Sequence, residues 1–416
     1  MAVKQMQYVV IGASAAGMAA AEAIRKLDSQ GSIIVLSEEQ DMPYFRPMVP
    51  FIINGKKKFP EMMLIGQGPY QGANIGVRLD SRVKAVNTAE QKVSIKSGEE
   101  LLYDKLLVAT GSLPNIPSDI KGVEAEGVFV LRTIADARAI ARRAETARHA
   151  VMLGGGLLNL KAAFALLERG LDVTLIVKSP NVLSRLMEPD DTVLIREALN
   201  KAGMKLMTGS NVTQILSDST GVIGVLLESG REIACQMVCI GKGIRANVEF
   251  LDKSGILVDQ GVVVDKFTRS NIQNVFAAGD VAVTFDPITG ERIVTGLWTN
   301  AAEMGNCAGR NMAGQPSIYS GTFGILNATQ VADEPFVSMG IVHTKGTDYE
   351  THIRATPKTY RKLVFTPDGT RLVGALFIGD ISKAGLYRYI IRERMPVKDI
   401  KSDIVNHRLH YGYFLR

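Results

Sequence analysis

Residues 7–38 read QYVVIGASAAGMAAAEAIRKLDSQGSIIVLSE, and this stretch decides the fold. The apolar run QYVVI ends at Gly12, an alanine-rich segment of helical character follows, Gly31 breaks it, and SIIVL is a second apolar run. That order predicts a strand, a glycine turn, a helix and a parallel strand. Strands that are apolar throughout belong to a sheet covered on both faces, and the turn sets backbone N–H groups at a helix N-terminus, where a pyrophosphate is stabilised. Gly12, Ser14 and Gly17 keep the G-x-G-x-x-G spacing with serine in the middle place, and Glu38 closes the second strand, where a carboxylate suits a ribose diol.

Residues 149–178, HAVMLGGGLLNLKAAFALLERGLDVTLIVK, repeat the pattern and predict a second nucleotide-binding fold. Gly154 and Gly156 hold the spacing, Asn159 stands where the third glycine would be, and the second strand runs into Lys178 rather than an acid. A lysine there either reaches a 2′-phosphate or is a solvated strand end, so NADP stays open beside NAD. Two more segments, KLLVATGSLPNIP at 105–117 and NVFAAGDVAV at 274–283, end apolar strands on glycine. The second sets Asp280 at the carboxyl edge of a sheet, where α/β folds bind ligands.

The rest of the chain bounds the function. Its 416 residues, 46% hydrophobic and 22% charged, predict two or three globular domains. No apolar run approaches the ~18 residues of a membrane span, and the start enters a strand without a cleavable signal, so a soluble cytoplasmic protein is expected. The three cysteines, Cys235, Cys239 and Cys307, form no C-x-x-C pair and are too few to hold an iron–sulfur cluster; no metal site is expected. Electron chemistry would therefore need an organic cofactor. Residues 351–416 hold 13 Lys and Arg against 5 Asp and Glu, so the net +6 is entirely C-terminal. Without aromatic-interleaved basic repeats this points away from nucleic acid and toward an acidic protein partner, or to a merely solvated face.

Taken in order, Gly12-x-Ser14-x-x-Gly17 with Glu38, Ala109-Thr110-Gly111-Ser112, Gly154-x-Gly156, the run Gly241 to Asn247, and Ala278-Gly279-Asp280 resemble the FAD-dependent pyridine nucleotide-disulfide oxidoreductase superfamily along essentially the whole chain. The resemblance implies an α/β fold of two Rossmann-like, three-layer dinucleotide-binding domains plus a C-terminal α+β interface domain. FAD would be held by residues 1–112 and 245–318, NAD(P)H by 113–244, and 319–416 would form the interface or docking domain, within which residues 360–378 alternate in hairpin style around Asp368-Gly369 ahead of the amphipathic, basic stretch KAGLYRYIIRERM. It assigns Ser14, Ala15, Ala16, Val83, Ala109, Thr110, Gly111 and Gly279 to FAD, with Glu38 on the adenosine ribose and Asp280 on the ribitol. It assigns Gly154, Gly156, Leu157, Lys178 and Gly241 to NAD(H).

Tyr44, Arg46 and Pro47 resemble the segment that packs over the flavin in the rubredoxin- and ferredoxin-reductase branch, and no cysteine follows them. Thiol-based disulfide or peroxide chemistry is therefore not expected. The segment GLWTNAAEMGNCAGRNMAG is similar to the last FAD element, a helix N-terminus that places Trp298, Thr299 and Asn300. Where relatives carry a glutamate this chain has Lys161, expected to supply the cation that stabilises negative charge developing on the isoalloxazine unless it is only a lysine on an outer helix face.

The whole most resembles the FAD-containing NAD-reductase subunits of anaerobic multi-subunit oxidoreductases, such as the tungsten aldehyde oxidoreductase and phenylglyoxylate dehydrogenase complexes. The implied partner is a ferredoxin-like iron–sulfur protein. A free-standing NADH:rubredoxin or ferredoxin reductase, an NADH oxidase, and a nicotinamide-sensing interaction flavoprotein are the alternatives.

Overall fold

A computed structural model of the chain describes residues 5–64, 74–286, 290–320 and 326–414. It divides into two compact units, one of residues 1–115, 132–134 and 244–322, the other of 116–131, 135–243 and 323–416.

In the first unit the strands β1 (Gln7–Ile11), β2 (Ser32–Leu36), β3 (Gly76–Arg78) and β4 (Lys105–Val108) and the later strand Val275–Ala277 form one parallel sheet. The spatial order is Val275–Ala277, β4, β1, β2, β3. Helix α1 (Ala15–Leu27) crosses from β1 to β2 as the opening sequence predicts. Its alanines allow close approach of the helix Trp298–Met312, where Gly305 and Gly309 lie against the backbone of Ala16 and Ala20. Val9, Val10, Val35, Leu106, Leu107 and Val108 are buried without residue, which is why these strands read as unbroken apolar runs.

The second unit opens with β5 (Val128–Val130) and β6 (His149–Leu153), then α2 (Leu157–Glu168), β7 (Asp172–Val177), α3 (Val193–Lys201), β8 (Lys205–Thr208) and β9 (Met237–Ile240). These strands make a second five-stranded parallel sheet in the order β8, β7, β6, β9, β5. The C-terminal residues add an antiparallel sheet of β10 (Asn327–Val331), β11 (Glu334–Gly340), β12 (Glu350–Ala355), β13 (Tyr360–Phe365) and β14 (Leu372–Ile378). Its order is β10, β11, β14, β13, β12, and the β13–β14 hairpin turns at Asp368-Gly369 as its alternation predicts. Two helices, α4 (Ala384–Arg392) and α5 (Lys401–Val405), follow, α4 burying Tyr387, Ile390 and Ile391. The fold is thus the mixed α/β arrangement expected, with parallel Rossmann-like sheets and a C-terminal α+β part.

That C-terminal sheet is fastened to the nucleotide fold of the same unit by a buried ion cluster. Lys362 of β13 pairs with Glu188 and, at 3.3 Å, with Asp191; Tyr360 donates to Asp191; and the Thr344 and Lys345 N–H groups donate to Glu188 at 2.9 and 2.8 Å. No helix among the described residues is long and apolar enough to cross a membrane.

Candidate functional site

The ladder of the first sheet continues one residue past its carboxyl edge. Gly12 N–H donates to Leu36, Ala109 N–H to Ile11, and Ala278 N–H to Val108, at 2.8, 2.8 and 3.1 Å. Gly12, Ala109-Thr110-Gly111-Ser112 and Gly279-Asp280 are thereby brought side by side, although they lie far apart in sequence. Gly12 has φ +116°, and a Cβ on it would stand 2.1 Å from the Ala109 carbonyl oxygen, so only glycine fits this turn. Ala16, Gly279 and Ala301 of the later helix converge on the same point, a Cβ on Gly279 falling 3.1 and 3.4 Å from the two alanine methyls.

Helix α1 starts there without a side-chain cap. Ser14 holds the N-cap position but accepts a hydrogen bond from Arg46 Nε at 3.0 Å, and no acid stands in the first turn, Ala15-Ala16-Gly17. An uncapped, acid-free N-terminus beside a glycine turn fits the pyrophosphate of a dinucleotide. The Trp298–Met312 helix likewise starts without a cap or an acid; Asn300 is buried, Thr299 exposed, and Trp298 stands edge-on to Phe45 at 4.7 Å. Pro47 forms the short turn Arg46–Met48, and Val83 opens a core strand, Val83–Asn87. Glu38 is half-exposed two residues beyond β2, 3.8 Å from Arg82.

The Arg46 guanidinium is the centre of a network. Besides Ser14 it donates to Tyr44 Oη at 3.2 Å, to the Arg132 carbonyl at 3.1 Å, and to the Glu39 carboxylate. Tyr44 in turn donates to Glu39 at 2.7 Å and accepts the Ile134 N–H at 3.0 Å; burial pushes its phenol pKa up, keeping it a neutral donor. Asp280 accepts Ser112 Oγ and the Arg132 guanidinium, both at 2.9 Å. Arg132 and Glu39 were not among the residues expected from sequence. A basic residue directly ending the apolar run VFVL was the signal for the first; Glu39 was hidden behind Glu38.

The second unit builds a parallel arrangement on its own sheet. Gly154 donates to Ile176 and Gly241 to Leu153, at 2.9 and 2.8 Å, and Gly154, at φ +104°, would carry a Cβ 2.3 Å from the Gly241 oxygen. Gly156 precedes Leu157, the first residue of α2, again with no side-chain cap and no acid in the first turn. Asn159, in the third glycine's place, is buried and donates to the Leu153 and Gly154 carbonyls at 3.2 and 2.6 Å. The departure thus substitutes a side-chain clamp on the turn for close helix packing. Lys178 is exposed just past β7. Lys161 is half-buried on α2, and that burial lowers its ammonium pKa.

All three cysteines are buried free thiols. Burial pushes Cys235 and Cys239 up to about 12 and raises Cys307, so none presents a thiolate. Among the described residues no cluster of His, Cys, Asp or Glu could hold a metal.

Comparison with known proteins agrees with this geometry. Over 99% of its length the chain is 28% identical to 97% of the NADH-dependent phenylglyoxylate dehydrogenase subunit epsilon of Aromatoleum evansii. Over 78% of its length it is 31% identical to 73% of an NADH oxidase of Methanocaldococcus jannaschii. The solved NAD-dependent persulfide reductase from A. fulgidus superposes with a TM-score of 0.89 at 26% identity, covering 95% of this chain and 78% of that one. The model of the pyridine nucleotide-disulphide oxidoreductase family, whose cofactors are FAD and NAD(H), matches residues 6–305. The chain belongs to the pyridine nucleotide-disulphide oxidoreductase family, as an FAD-dependent NAD(H) oxidoreductase.

Proposed function

We propose that this chain is the NAD-reducing, electron-transfer subunit of a larger oxidoreductase, exchanging hydride with nicotinamide and single electrons with a ferredoxin-like iron–sulfur protein. The observation that carries this is a likeness running end to end to a subunit of an NADH-dependent dehydrogenase. Bound FAD supplies the conversion between an electron pair and single electrons. The chain itself supplies position and field. In this reading the Gly12–Gly17 turn, Glu38, Arg46 and Asp280 hold the flavin nucleotide, and the Gly154–Leu157 turn, Lys178 and Gly241 hold NAD(H).

Lys161 supplies positive charge toward the flavin ring in the same reading. A Lys161→Glu variant is expected to lower both the hydride-transfer rate and the flavin potential; if both stay at their original values, Lys161 has no such role. The basic C-terminal residues 351–416 supply the docking surface for an acidic partner. Electron transfer to the partner should then slow steeply between low and high salt.

The test is copurification from the native source, anaerobically and at low salt, with flavin and iron quantified. Arrival with an iron-rich subunit and a larger catalytic one supports the reading. A yellow, iron-free chain alone overturns it in favour of a free-standing reductase or oxidase. The likeness to an NADH oxidase favours the oxidase as the second reading, which rapid turnover of the isolated chain with dioxygen would establish.

A further inference from the structure

The C-terminal end of the second unit lines up a serine, a histidine and a tyrosine. Ser382 Oγ lies 3.2 Å from His407 Nε2, and His407 Nδ1 lies 2.8 Å from Tyr387 Oη. Counting hydrogens fixes where the protons are. Tyr387 has a single hydroxyl proton and donates it to the Ile404 carbonyl at 2.9 Å, an atom that only accepts. Toward His407 the phenol oxygen must therefore accept, so Nδ1 carries the imidazole proton and Nε2 offers its lone pair to Ser382. The fully buried Tyr387 stacks on the imidazole at 5.7 Å and 23°, which holds the ring plane.

Two further observations mark the place. Lys383, next to the serine, and His407 itself both sit in the left-handed region, at φ 62° and 58°, a strain that non-glycine residues seldom keep without a reason. Ser382 is exposed and immediately precedes Lys383, the N-cap of α4, so charge developing beside it lies at the positive end of that helix. The groups facing the imidazole are mixed. Asp380 Oδ2 lies 3.8 Å from Nε2, where positive charge would appear on protonation. Burial, with Arg361 and Arg354 of the sheet and Lys383, opposes that charge and keeps the ring neutral at rest. The Ser382 side chain also hydrogen-bonds the Asp380 carboxylate, the first cause of that group's lowered pKa, so Asp380 competes with His407 for the single hydroxyl proton and the test must separate the two.

We propose that Ser382 is a base-activated nucleophile, a modification site that takes an acyl group from activated esters. Its Oγ forms a bond to the ester carbonyl carbon while its proton passes to His407 Nε2. The carbon–oxygen bond to the leaving alcohol then breaks, and the proton leaves with that alcohol. Acyl-Ser382 remains until water, deprotonated by the same nitrogen, releases the acid. Nothing is oxidised or reduced, and no flavin or nicotinamide takes part.

The test uses the full chain with p-nitrophenyl acetate and locates the acetyl group by peptide mass spectrometry. General-base assistance predicts acetylation of Ser382 about 100-fold faster than of other exposed serines. The rate should rise as His407 loses its proton, with a midpoint below the ordinary 6.5 because its pKa is lowered. Ser382→Ala, a surface change, should abolish the fast phase and leave NADH-dependent dye reduction unaltered, while Asp380→Asn should keep the fast phase. Labelling of Ser382 at the rate of other serines, a fast phase surviving in Ser382→Ala, a flat pH profile, or loss of the fast phase in Asp380→Asn with Ser382 still exposed would each overturn the assignment.

Discussion

Replacing Lys362 with methionine tests what joins the C-terminal sheet to the nucleotide fold. Lys362 is 1% exposed, Glu188 9% and Asp191 2%, so the variant strands two carboxylates away from water with no cation between them. Removing one partner of a buried ion pair costs about 3–5 kcal/mol. The pKa of Glu188 points the same way. Burial alone would raise it, but the Lys362 ammonium and the Lys345 and Thr344 N–H donors outweigh burial and lower it from 4.5 to about 2. A depressed carboxylate pKa contributes stability that is fully present above 4.5 and is lost as pH falls toward 2. The unaltered protein should therefore weaken over that window. In Lys362→Met the sign reverses: without the ammonium the buried Glu188 carboxylate gains by taking up a proton, so the variant should be weakest near neutrality and recover part of its stability on mild acidification. Denaturant unfolding of the second unit, followed by hydrogen exchange in β13 and β14 from pH 7 to pH 4, reads both effects. A variant within 1 kcal/mol of the unaltered protein at pH 7, or one with the same pH slope, would refute the reasoning.

Glu39→Gln removes a charge-assisted hydrogen bond to Arg46 while keeping the shape, at a cost of about 1.5 kcal/mol. The expected result is FAD bound roughly 10-fold more weakly in a fluorescence titration of the apoprotein; an unchanged affinity would mean that Arg46 is held well enough by Ser14 and Tyr44 alone. Gly12→Ala drives a methyl group to 2.1 Å from the Ala109 oxygen, so the chain should purify with little flavin and a lower melting temperature, and a fully yellow product would contradict the turn geometry. Asn159→Ala leaves the Leu153 and Gly154 carbonyls without their side-chain donor; nicotinamide affinity measured by titration should fall several-fold, with flavin content as the control that stays constant.

The two nucleotide turns were legible because they are local. Glycines at fixed spacing between an apolar run and a helix describe a backbone that only one conformation satisfies, and Gly12 and Gly154 have the positive φ that this requires. The β13–β14 hairpin and α4 were legible for the same reason: alternation around Asp368-Gly369 and a helical apolar stripe are short-range signals. What escaped were side chains whose partners lie far along the chain. Arg132 meets Asp280 across 148 residues, and Lys362 meets Glu188 across 174. No spacing rule relates such pairs, and a buried lysine inside YRKLVF reads as an ordinary polar position of a half-exposed strand. Asn159 was visible as a departure, but only its two carbonyl acceptors say what it does instead.

The distribution of charge in the first unit fits a chain whose task is to hold a cofactor. In the first unit the charged groups beside the glycine turn answer to other groups of the protein: Arg46 to Glu39, Tyr44 and Ser14, and Asp280 to Arg132 and Ser112. Such a satisfied network fixes geometry and holds no proton in reserve, which suits hydride and electron transfer, where the protein need not trade protons with the reacting atoms. The C-terminal residues expose Tyr389 and Tyr411, with the Arg392 guanidinium lying 5.9 Å from the Tyr389 ring centre. Tyrosine and arginine are the side chains that most often anchor protein interfaces. Flavin chemistry is common to the family and is written in the turns; under the proposed function the electron partner would be chosen on such a surface, where no motif records it. If these side chains of α4 belong to the proposed docking surface, changing Tyr389 and Arg392 to alanine should alter partner turnover and leave NADH-dependent dye reduction as it was; the reverse pattern would place that surface elsewhere.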